Sequence, residues 1–260
     1  MRLALLSDIH GNSIALQAVL ADIQARGGVD AYWILGDLVA LGHDPLGVLD
    51  QLRKLPETAF TRGNTDRYVV TGEIPGPSPE TVQADPKLLP MFMEVTRSFT
   101  WTHGAVAAAG RMDWLTALPL DQRLRLPDGS RLLGVHASPG TDDGVGMRPT
   151  MSDAELATLL GDCQADLVCV GHTHWPQDRQ VKGVRMVNLG SVSNPFPPDL
   201  RASYVLLEAD ERGYRLEPRR VDYDHQIVIE ELQRTRHPGA DYIVRFMRGQ
   251  NKPAWERGEA

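Results

Sequence analysis

The sequence has few of the features that tie a protein to a membrane, to nucleic acid or to a secretory route. No apolar stretch approaches the ~20 residues needed to span a bilayer, and no Lys/Arg-rich block forms an electrostatic footprint for nucleic acid. The N-terminal residues do not show the basic, apolar and small-residue regions of a signal peptide. We therefore expect a cytoplasmic protein without membrane attachment or stable nucleic-acid binding.

Cysteine is also scarce. The two cysteines, Cys163 and Cys169, both stand in apolar surroundings. Such residues are typical of the core of a reduced protein rather than of a disulfide framework. No Ser-His or Cys-His dyad is evident either, so the usual sign of a protein nucleophile is missing.

The composition that remains is that of an ordinary globular protein. The 260 residues are 42% hydrophobic and 23% charged, with a net charge of −7. Because there is no internal repeat and no convincing linker, we expect a single domain over residues 1–260. A helical and loop insertion is expected at about 72–118, with loop over 72–90 and helices over 91–103 and 107–118. These helices either cap a site or simply contribute to the core.

Strands and helices alternate along the first half of the chain. Short apolar runs predict strands, and apolar spacings of three and four predict helices. The predicted strands cover 3–6, 31–35 and 58–61, and the helices cover about 13–26 and 45–52. The second half adds strands over 131–135, 166–170 and 184–188, a helix over 152–160, a hairpin over 202–219, helices within 227–249 and a frayed end over 250–260. This alternation predicts an α/β architecture with parallel strands.

The first strand leads directly into Asp8 and His10. Side chains two apart on a strand point the same way, so a strand that continued past Ser7 would project these two together. They would then lie at its carboxyl end, where open α/β sheets bind ligands. A carboxylate beside an imidazole suits a divalent transition metal.

More residues of metal-ligand type follow the later predicted strands. Seven of them follow five strands: Asp8, His10, Asp37, Asn64, His136, His172 and His174. Four of the eight histidines in the chain are among them. A glycine precedes Asp37, Asn64 and His172, and lets the backbone turn sharply beside a bound group. As a set, these residues predict a metal centre.

In order, spacing and strand context these residues resemble the signature of the calcineurin-like metallophosphoesterases. The five blocks read here Asp8-x-His10, Gly36-Asp37, Gly63-Asn64-x-Asp66, His136 and Gly171-His172-x-His174. The match spans residues 3 to about 208 and is most similar to the small bacterial and archaeal phosphodiesterase-like branch. The resemblance implies an α/β fold that is a four-layer α/β/β/α sandwich, with two mixed β-sheets flanked by helices.

The resemblance also implies two metal ions. By analogy, Asp8, His10, Asp37 and His174 hold the first, Asp37, Asn64, His136 and His172 hold the second, and Asp37 bridges them. Mixed nitrogen and oxygen ligands favour Mn, Fe, Zn, Co or Ni over Ca or Mg, and we expect Mn. Two such ions clamp phosphate oxygens, and a hydroxide that bridges them attacks phosphorus, so no protein nucleophile is needed.

One position departs from many members of the family. They place a histidine, thought to protonate the leaving group, where this chain has Thr65. Threonine is no general acid near neutral pH, and the lack of one commonly costs about 10²–10⁴-fold in rate. His43 and His103 are candidate substitutes. Asp66 is expected to orient the loop, and Asn12 and Thr65 are candidate substrate contacts.

We therefore expect a metal-dependent phosphodiesterase that acts on a small phosphorylated substrate. A phosphomonoesterase or a dinucleoside polyphosphate hydrolase is an alternative that the spacing does not separate. A non-catalytic metal-binding scaffold is the alternative of a different class, since a retromer subunit uses this fold for binding. The competent residue at every ligand position argues against the scaffold. The substrate, the native metal and the oligomeric state, a homo-oligomer included, are left open by the sequence.

Overall fold

Two five-stranded β-sheets lie face to face in the computed structural model, which describes residues 1–257. In chain order the strands are β1 (Arg2–Leu6), β2 (Ala31–Leu35), β3 (Thr58–Thr61), β4 (Asp121–Arg125), β5 (Arg131–Val135), β6 (Leu167–Val170), β7 (Gln177–Val181), β8 (Val184–Asn188), β9 (Ala202–Asp210) and β10 (Gly213–Val221). The helices are α1 (Ser13–Ala25), α2 (Pro45–Leu52), α3 (Asn64–Thr71), α4 (Pro79–Ala84), α5 (Leu89–Ala108), α6 (Met112–Thr116), α7 (Asp153–Leu160), α8 (His225–Arg234), α9 (Ala240–Met247) and α10 (Ala254–Arg257), with a 3₁₀ helix at Pro86–Leu88.

Both sheets are mixed. The first has the order β10-β9-β1-β2-β3, in which β1, β2 and β3 are parallel and the β9–β10 hairpin joins antiparallel to β1. The second has the order β4-β5-β6-β8-β7, in which β5, β6 and β8 are parallel between two antiparallel edge strands. Parallel strands of one sheet end at the same edge, so the loops after them are neighbours.

Apolar side chains fill three layers of core. The layer between the sheets takes residues from both, among them Leu5 and Trp33 from the first and Leu132 and Val187 from the second. Helices α1, α2 and α5 cover the outer face of the first sheet, and α7 covers that of the second. The predicted four-layer α/β/β/α sandwich is confirmed. Both cysteines are buried and free, as predicted.

The segment 72–118 packs onto the first sheet. Phe99, Val106, Leu115 and Leu118 join the core on the outer face of that sheet, which favours the core interpretation of this segment over a cap. Its longest helix, α5, is also the longest in the structure among residues 1–257. None of the helices in that range combines the length and apolarity needed to cross a membrane.

Two predictions for this segment are wrong. The loop predicted over 72–90 contains the helix α4. Ser78 caps the start of this helix, because its hydroxyl oxygen accepts the Thr81 N–H at 3.2 Å. The predicted break near Gly104 does not occur, since α5 continues through it and only the short α6 follows. One glycine costs a helix interior only about 1 kcal/mol relative to alanine, which the burial of the apolar face of α5 outweighs.

Other elements escaped prediction because their sequences are polar. The strands β4 and β7 are edge strands with the sequences DQRLR and QDRQV. Two of the five residues in each strand are exposed. The helix α3 begins inside a polar cluster that reads as a turn. The end predicted as frayed includes α10, while residues 258–260 lie outside the described range.

Gly134 of β5 marks a tight contact between the sheets and gives a first prediction. A Cβ atom there would lie 2.8 Å from Leu35 Cδ2 and 2.8 Å from Trp33 Cε3, both on β2. Gly134→Ala should therefore lower the free energy of unfolding by about 1–3 kcal/mol, the usual range for overpacking. Chemical denaturation measures the change.

Gly104→Ala is the matched control for that variant. No atom lies within 4 Å of the position its Cβ would take, and alanine is the better helix former. The free energy of unfolding should rise by about 0.5–1 kcal/mol. Equal effects of the two substitutions would contradict a close contact at Gly134.

Candidate metal centre

Seven polar side chains meet at the seam between the sheets, where the parallel strands end. The first sheet supplies four of them, from the loops after β1, β2 and β3: Asp8, His10, Asp37 and Asn64. The second sheet supplies three, from the loops after β5 and β6: His136, His172 and His174. All seven predicted ligands are thus brought together by contacts within 4 Å.

The backbone that carries these residues is not extended. The strand β1 ends at Leu6, and Asp8 and His10 have positive φ angles of 57° and 48°. The strand therefore does not continue past Ser7, and it is the left-handed backbone rather than strand alternation that brings the two side chains together, with His10 Nε2 3.9 Å from Asp8 Oδ1. Asp37, His172 and His174 are left-handed as well, with φ of 55°, 69° and 58°. Such a conformation is unfavourable for residues with a Cβ atom, and it gathers at functional sites whose surroundings enforce it.

Hydrogen bonds between the loops after β1 and β2 enforce this backbone. The Asp8 N–H donates to Gly36 O at 3.2 Å, the His10 N–H to Asp37 O at 2.9 Å and the Gly11 N–H to Leu38 O at 2.8 Å. The two loops thus stay joined beyond the ends of their strands, and this holds both carboxylates against the histidines.

Four of the seven side chains form a first group. Nε2 of His10 lies 3.0 Å from Nε2 of His174. Asp8 Oδ1 lies 3.3 Å from Nε2 of His174, and Asp37 Oδ2 lies 3.6 Å from Nε2 of His10. One ligand atom from each of these four residues lies within 4.8 Å of the others. This group can hold a metal ion.

A second group lies on the other side of Asp37. Asn64 Oδ1 is 3.0 Å from Nε2 of His136 and 3.0 Å from Nδ1 of His172. Asp37 Oδ1 is 3.4 Å from Nε2 of His136. The two oxygens of Asp37 therefore face different groups.

In each of the four histidines the ring nitrogen that points away from its group meets a backbone carbonyl. These contacts are His10 Nδ1 to Ala40 O at 3.1 Å, His136 Nδ1 to Leu35 O at 2.8 Å, His172 Nε2 to Gly144 O at 2.8 Å and His174 Nδ1 to Asn194 O at 2.8 Å. A carbonyl oxygen only accepts, so this nitrogen carries the proton and the other one turns its lone pair toward the group. Metal-binding histidines are oriented in this way.

Lone pairs of nitrogen and oxygen therefore face one another in both groups, an arrangement that positive charge stabilises. Burial opposes a charge on His136, but the carboxylates of Asp37 and Asp8 outweigh it and raise its pKa to about 10. The pKa of His174 is raised in the same way, against burial, by Asp8. Burial also opposes ionisation of Asp37, yet His136 holds the pKa of that carboxyl far below its usual range. The charge pattern and the donor atoms fit a divalent transition metal.

The glycines of the motifs serve two purposes. Gly36, with φ of 82°, provides the expected turn. Gly63 and Gly171 provide room, since a Cβ on Gly63 would lie 2.1 Å from Asp37 Oδ1 and one on Gly171 would lie 2.4 Å from Asp8 Oδ2. A side chain at either position would displace a carboxylate of the site.

Asp66 joins the loop after β2, which carries Asp37, to the loop after β3. Its Oδ1 accepts the Leu38 N–H at 2.8 Å, and its Oδ2 accepts the Gly63 N–H at 3.0 Å. The side chain is fully buried, and burial together with Asp37 raises its pKa to about 7. This geometry is what a residue that orients the loop requires.

The two candidate substrate contacts differ in their surroundings. The Thr65 N–H donates to Asp37 Oδ1 at 2.9 Å, and the Thr65 hydroxyl is buried with no hydrogen-bond partner within residues 1–257. Asn12 is engaged at both ends, because Oδ1 accepts the Ala15 N–H at 3.0 Å and Nδ2 donates to Ser193 Oγ at 3.1 Å. The position of Asn12 is thus explained by its capping of α1.

Neither candidate proton donor is bonded to the site. His43 is buried with Nε2 3.3 Å from Ser13 Oγ, and burial lowers its pKa. Nδ1 of His103, on α5, bonds to Val69 O at 2.7 Å. In the described part of the chain neither forms a hydrogen bond or ion pair with any of the seven predicted ligands.

Sequence reasoning missed the rim of the site. Tyr68, one helical turn after Asn64, donates its hydroxyl hydrogen to the carboxylate of Asp143. Asp143 belongs to the glycine-rich loop whose Gly144 carbonyl holds His172. The i, i+4 spacing of Asn64 and Tyr68 was the available signal, but it requires α3 to be recognised as a helix.

The chain belongs to the calcineurin-like phosphoesterase superfamily, whose domain model matches residues 1–212. The resemblance predicted from the five sequence blocks is thereby confirmed. Members of this superfamily are phosphoesterases that use divalent metals. The cluster of Asp and His residues described above is placed where such a metal would bind.

Several known proteins are similar to this chain over most of its length. An uncharacterized protein of Methanocaldococcus jannaschii is 27% identical over 256 residues, which cover 91% of this chain and 93% of that protein. Two crystal structures share the fold, each covering 96% of this chain and 99% of its own. They are a hypothetical protein from Pyrococcus horikoshii OT3, with TM-score 0.79 and 20% identity, and a metallophosphoesterase from Sphaerobacter thermophilus, with TM-score 0.71 and 24% identity.

Metal binding should release protons. A proton on Nε2 of His136 and a cation at the same lone pair exclude each other, and the pKa of His136 is raised to about 10. Mn²⁺ affinity should therefore rise with pH between about 6 and 8, by about tenfold per pH unit for each proton released. Calorimetric titration in buffers of different ionisation enthalpy measures both quantities. His103→Gln should leave proton release unchanged, and an affinity independent of pH would contradict the prediction.

Removal of Asp66 should weaken metal binding without removing a ligand. In Asp66→Ala the buried N–H groups of Leu38 and Gly63 lose their acceptor, so the loops that position Asp37 loosen. Mn²⁺ affinity should fall by about 10–100-fold, the range for groups that orient ligands. Asp113→Ala, at an exposed position on α6, is the control and should not change it. Lower stability with unchanged affinity would restrict Asp66 to a structural role.

Proposed function

We propose that this chain is a phosphodiesterase that depends on two divalent metal ions. The observation that carries the proposal is the pair of acceptor groups on either side of Asp37. Its Oδ2 faces His10 and its Oδ1 faces His136. A carboxylate with one oxygen in each group is placed to bridge two cations.

The proposed ligand sets follow the two groups. Asp8, His10, Asp37 and His174 would hold one ion, and Asp37, Asn64, His136 and His172 would hold the other. Nitrogen and oxygen donors of this mixture favour Mn, Fe, Zn, Co or Ni over Ca or Mg, and we propose Mn as the metal. When bound, such a pair supplies Lewis acidity toward the phosphate oxygens and an acidified water as the nucleophile.

The chain itself positions the ligands. The backbone carbonyls behind the four histidines each face one ring nitrogen and so orient the other ring nitrogen toward the site. Asp66 holds the loop after β2, which carries Asp37, against the loop after β3. Thr65 occupies the position at which many members of the family have a histidine, and a threonine side chain cannot act as a proton donor near neutral pH. The reaction is therefore best served by a substrate whose leaving group departs without a proton from the protein.

The charges at the rim favour a diester over a monoester. Arg62 and Arg67 flank Asn64 in the chain, and both are bonded to Asp142, at 2.7 and 3.1 Å, and Arg67 also to Asp143 at 2.7 Å. These cations are already neutralised by carboxylates. A monoester dianion would therefore gain less binding energy here than beside an arginine that is not already paired with a carboxylate. A diester carries a single negative charge, which the metals alone can balance.

The proposal is tested with a chromogenic diester and its monoester. Bis(p-nitrophenyl) phosphate should be hydrolysed faster than p-nitrophenyl phosphate in the presence of Mn²⁺, and a chelator should abolish hydrolysis. Asp37→Asn keeps the shape but removes the bridging charge. It should reduce kcat by more than the ~10–100-fold typical of groups that only orient a ligand. Asp113→Asn is the matched control and should retain full activity.

Three results would overturn the proposal. Faster hydrolysis of the monoester would assign a phosphomonoesterase. Activity confined to dinucleoside polyphosphates would assign a hydrolase of that class. Two tightly bound metals without turnover of any of these substrates would assign a metal-binding scaffold.

A further inference from the structure

A series of aromatic rings leads away from His174. The ring centroids of His174 and Phe196 are 6.0 Å apart, those of Phe196 and Trp255 are 6.4 Å apart, and those of Trp255 and Trp175 are 5.9 Å apart. Phe246 of α9 lies 5.6 Å from Phe196. Orientation of His174 does not require these rings, because its Nδ1 is already fixed by Asn194 O.

A cavity of about 200 Å³ opens beside this series of rings. Trp175, Phe196, Pro195 and Pro197 give it apolar walls, and His174 is part of its lining. Whole small-ligand pockets usually measure ~300–1,000 Å³, so this cavity has room for one substituent and not for a complete substrate. Because His174 belongs to the first acceptor group, the cavity and the candidate metal centre share this side chain.

The same cavity has a fixed polar edge. Arg220 lines it together with Asp199 and Ser203. The Arg220 guanidinium is held by both, with Nε 3.4 Å from Asp199 Oδ2 and Nη1 bonded to Ser203 Oγ. Ring walls suit a flat group, and a rigid edge of donors and acceptors suits ring heteroatoms. A guanidinium has five N–H donors, so Arg220 can keep both of these bonds and still donate to a ring heteroatom.

We infer that this cavity is a subsite for a heteroaromatic substituent of the nucleobase type on the phosphodiester. The inference rests on the proposed phosphodiesterase function and adds the substrate class, which is an ester of a nucleoside phosphate. Phe196 is the specificity-determining residue, since its ring lies between His174 and Trp255 and lines the cavity.

Two esters with the same leaving group test the subsite. The p-nitrophenyl ester of thymidine 5′-phosphate carries a base, and methyl p-nitrophenyl phosphate carries none. The thymidine ester should have the lower KM. Phe196→Ala should raise that KM by about 5- to 100-fold, as expected for loss of one base–aromatic stack, and should leave the methyl ester unchanged. Phe92→Ala, at a half-buried phenylalanine on α5, is the control and should change neither.

Phe196→Leu keeps apolar bulk and serves if Phe196→Ala does not fold. It should reproduce the rise in KM for the thymidine ester. An equal loss on both esters would show that Phe196 only supports His174, and would overturn the subsite.

Binding without turnover separates this inference from the proposed function. Thymidine 5′-phosphate should quench part of the tryptophan fluorescence of the metal-loaded protein, because Trp175 lines the cavity, and ribose 5-phosphate should not. Phe196→Ala should weaken the nucleotide response by at least about fivefold. Equal responses to the two phosphates would overturn the subsite even if diesters are hydrolysed. Failure to hydrolyse either ester, with selective nucleotide binding retained, would overturn the phosphodiesterase and keep the subsite.

Discussion

Mutual repulsion between lone pairs is the constraint on which the rest of the structure depends. Two imidazole nitrogens lie 3.0 Å apart in a buried seam, and carboxylate oxygens approach them to 3.3 and 3.6 Å. Without positive charge such an arrangement is unfavourable, so the surrounding chain has to hold it. The fold meets that requirement in two ways. The backbone is left-handed at Asp8, His10 and Asp37, and hydrogen bonds join the loops that carry these residues.

The sequence was sufficient to find the site because buried strands have simple sequences. The apolar runs before Asp8, Asp37 and His172 are short and uniform, and each ends at a polar residue. Once parallel strands are assumed, their ends must meet at common edges. The α/β architecture and the meeting of the side chains therefore follow from patterns in the chain, whereas the four-layer sandwich was implied by the resemblance to a family.

The sequence was insufficient where local pattern and tertiary role disagree. The edge strands β4 and β7 are polar because one face is exposed, and α3 begins with residues that usually mark turns. Left-handed conformation at Asp8 cannot be read from an alternating pattern. The cavity beside His174 is lined by Trp175, Phe196 and Arg220, which come from three separate parts of the chain, so no spacing rule predicts it.

Each acceptor group draws side chains from both sheets. His174 of the second sheet meets Asp8 of the first, and His136 of the second meets Asp37 of the first. A cation in either group would therefore link the two sheets, which otherwise pack together through apolar side chains. A ligand that binds only the folded chain stabilises it by about 2.7 kcal/mol at a hundredfold excess over its Kd. A bound metal would thus act on the stability of the fold as well as on the site, because it ties the two sheets together.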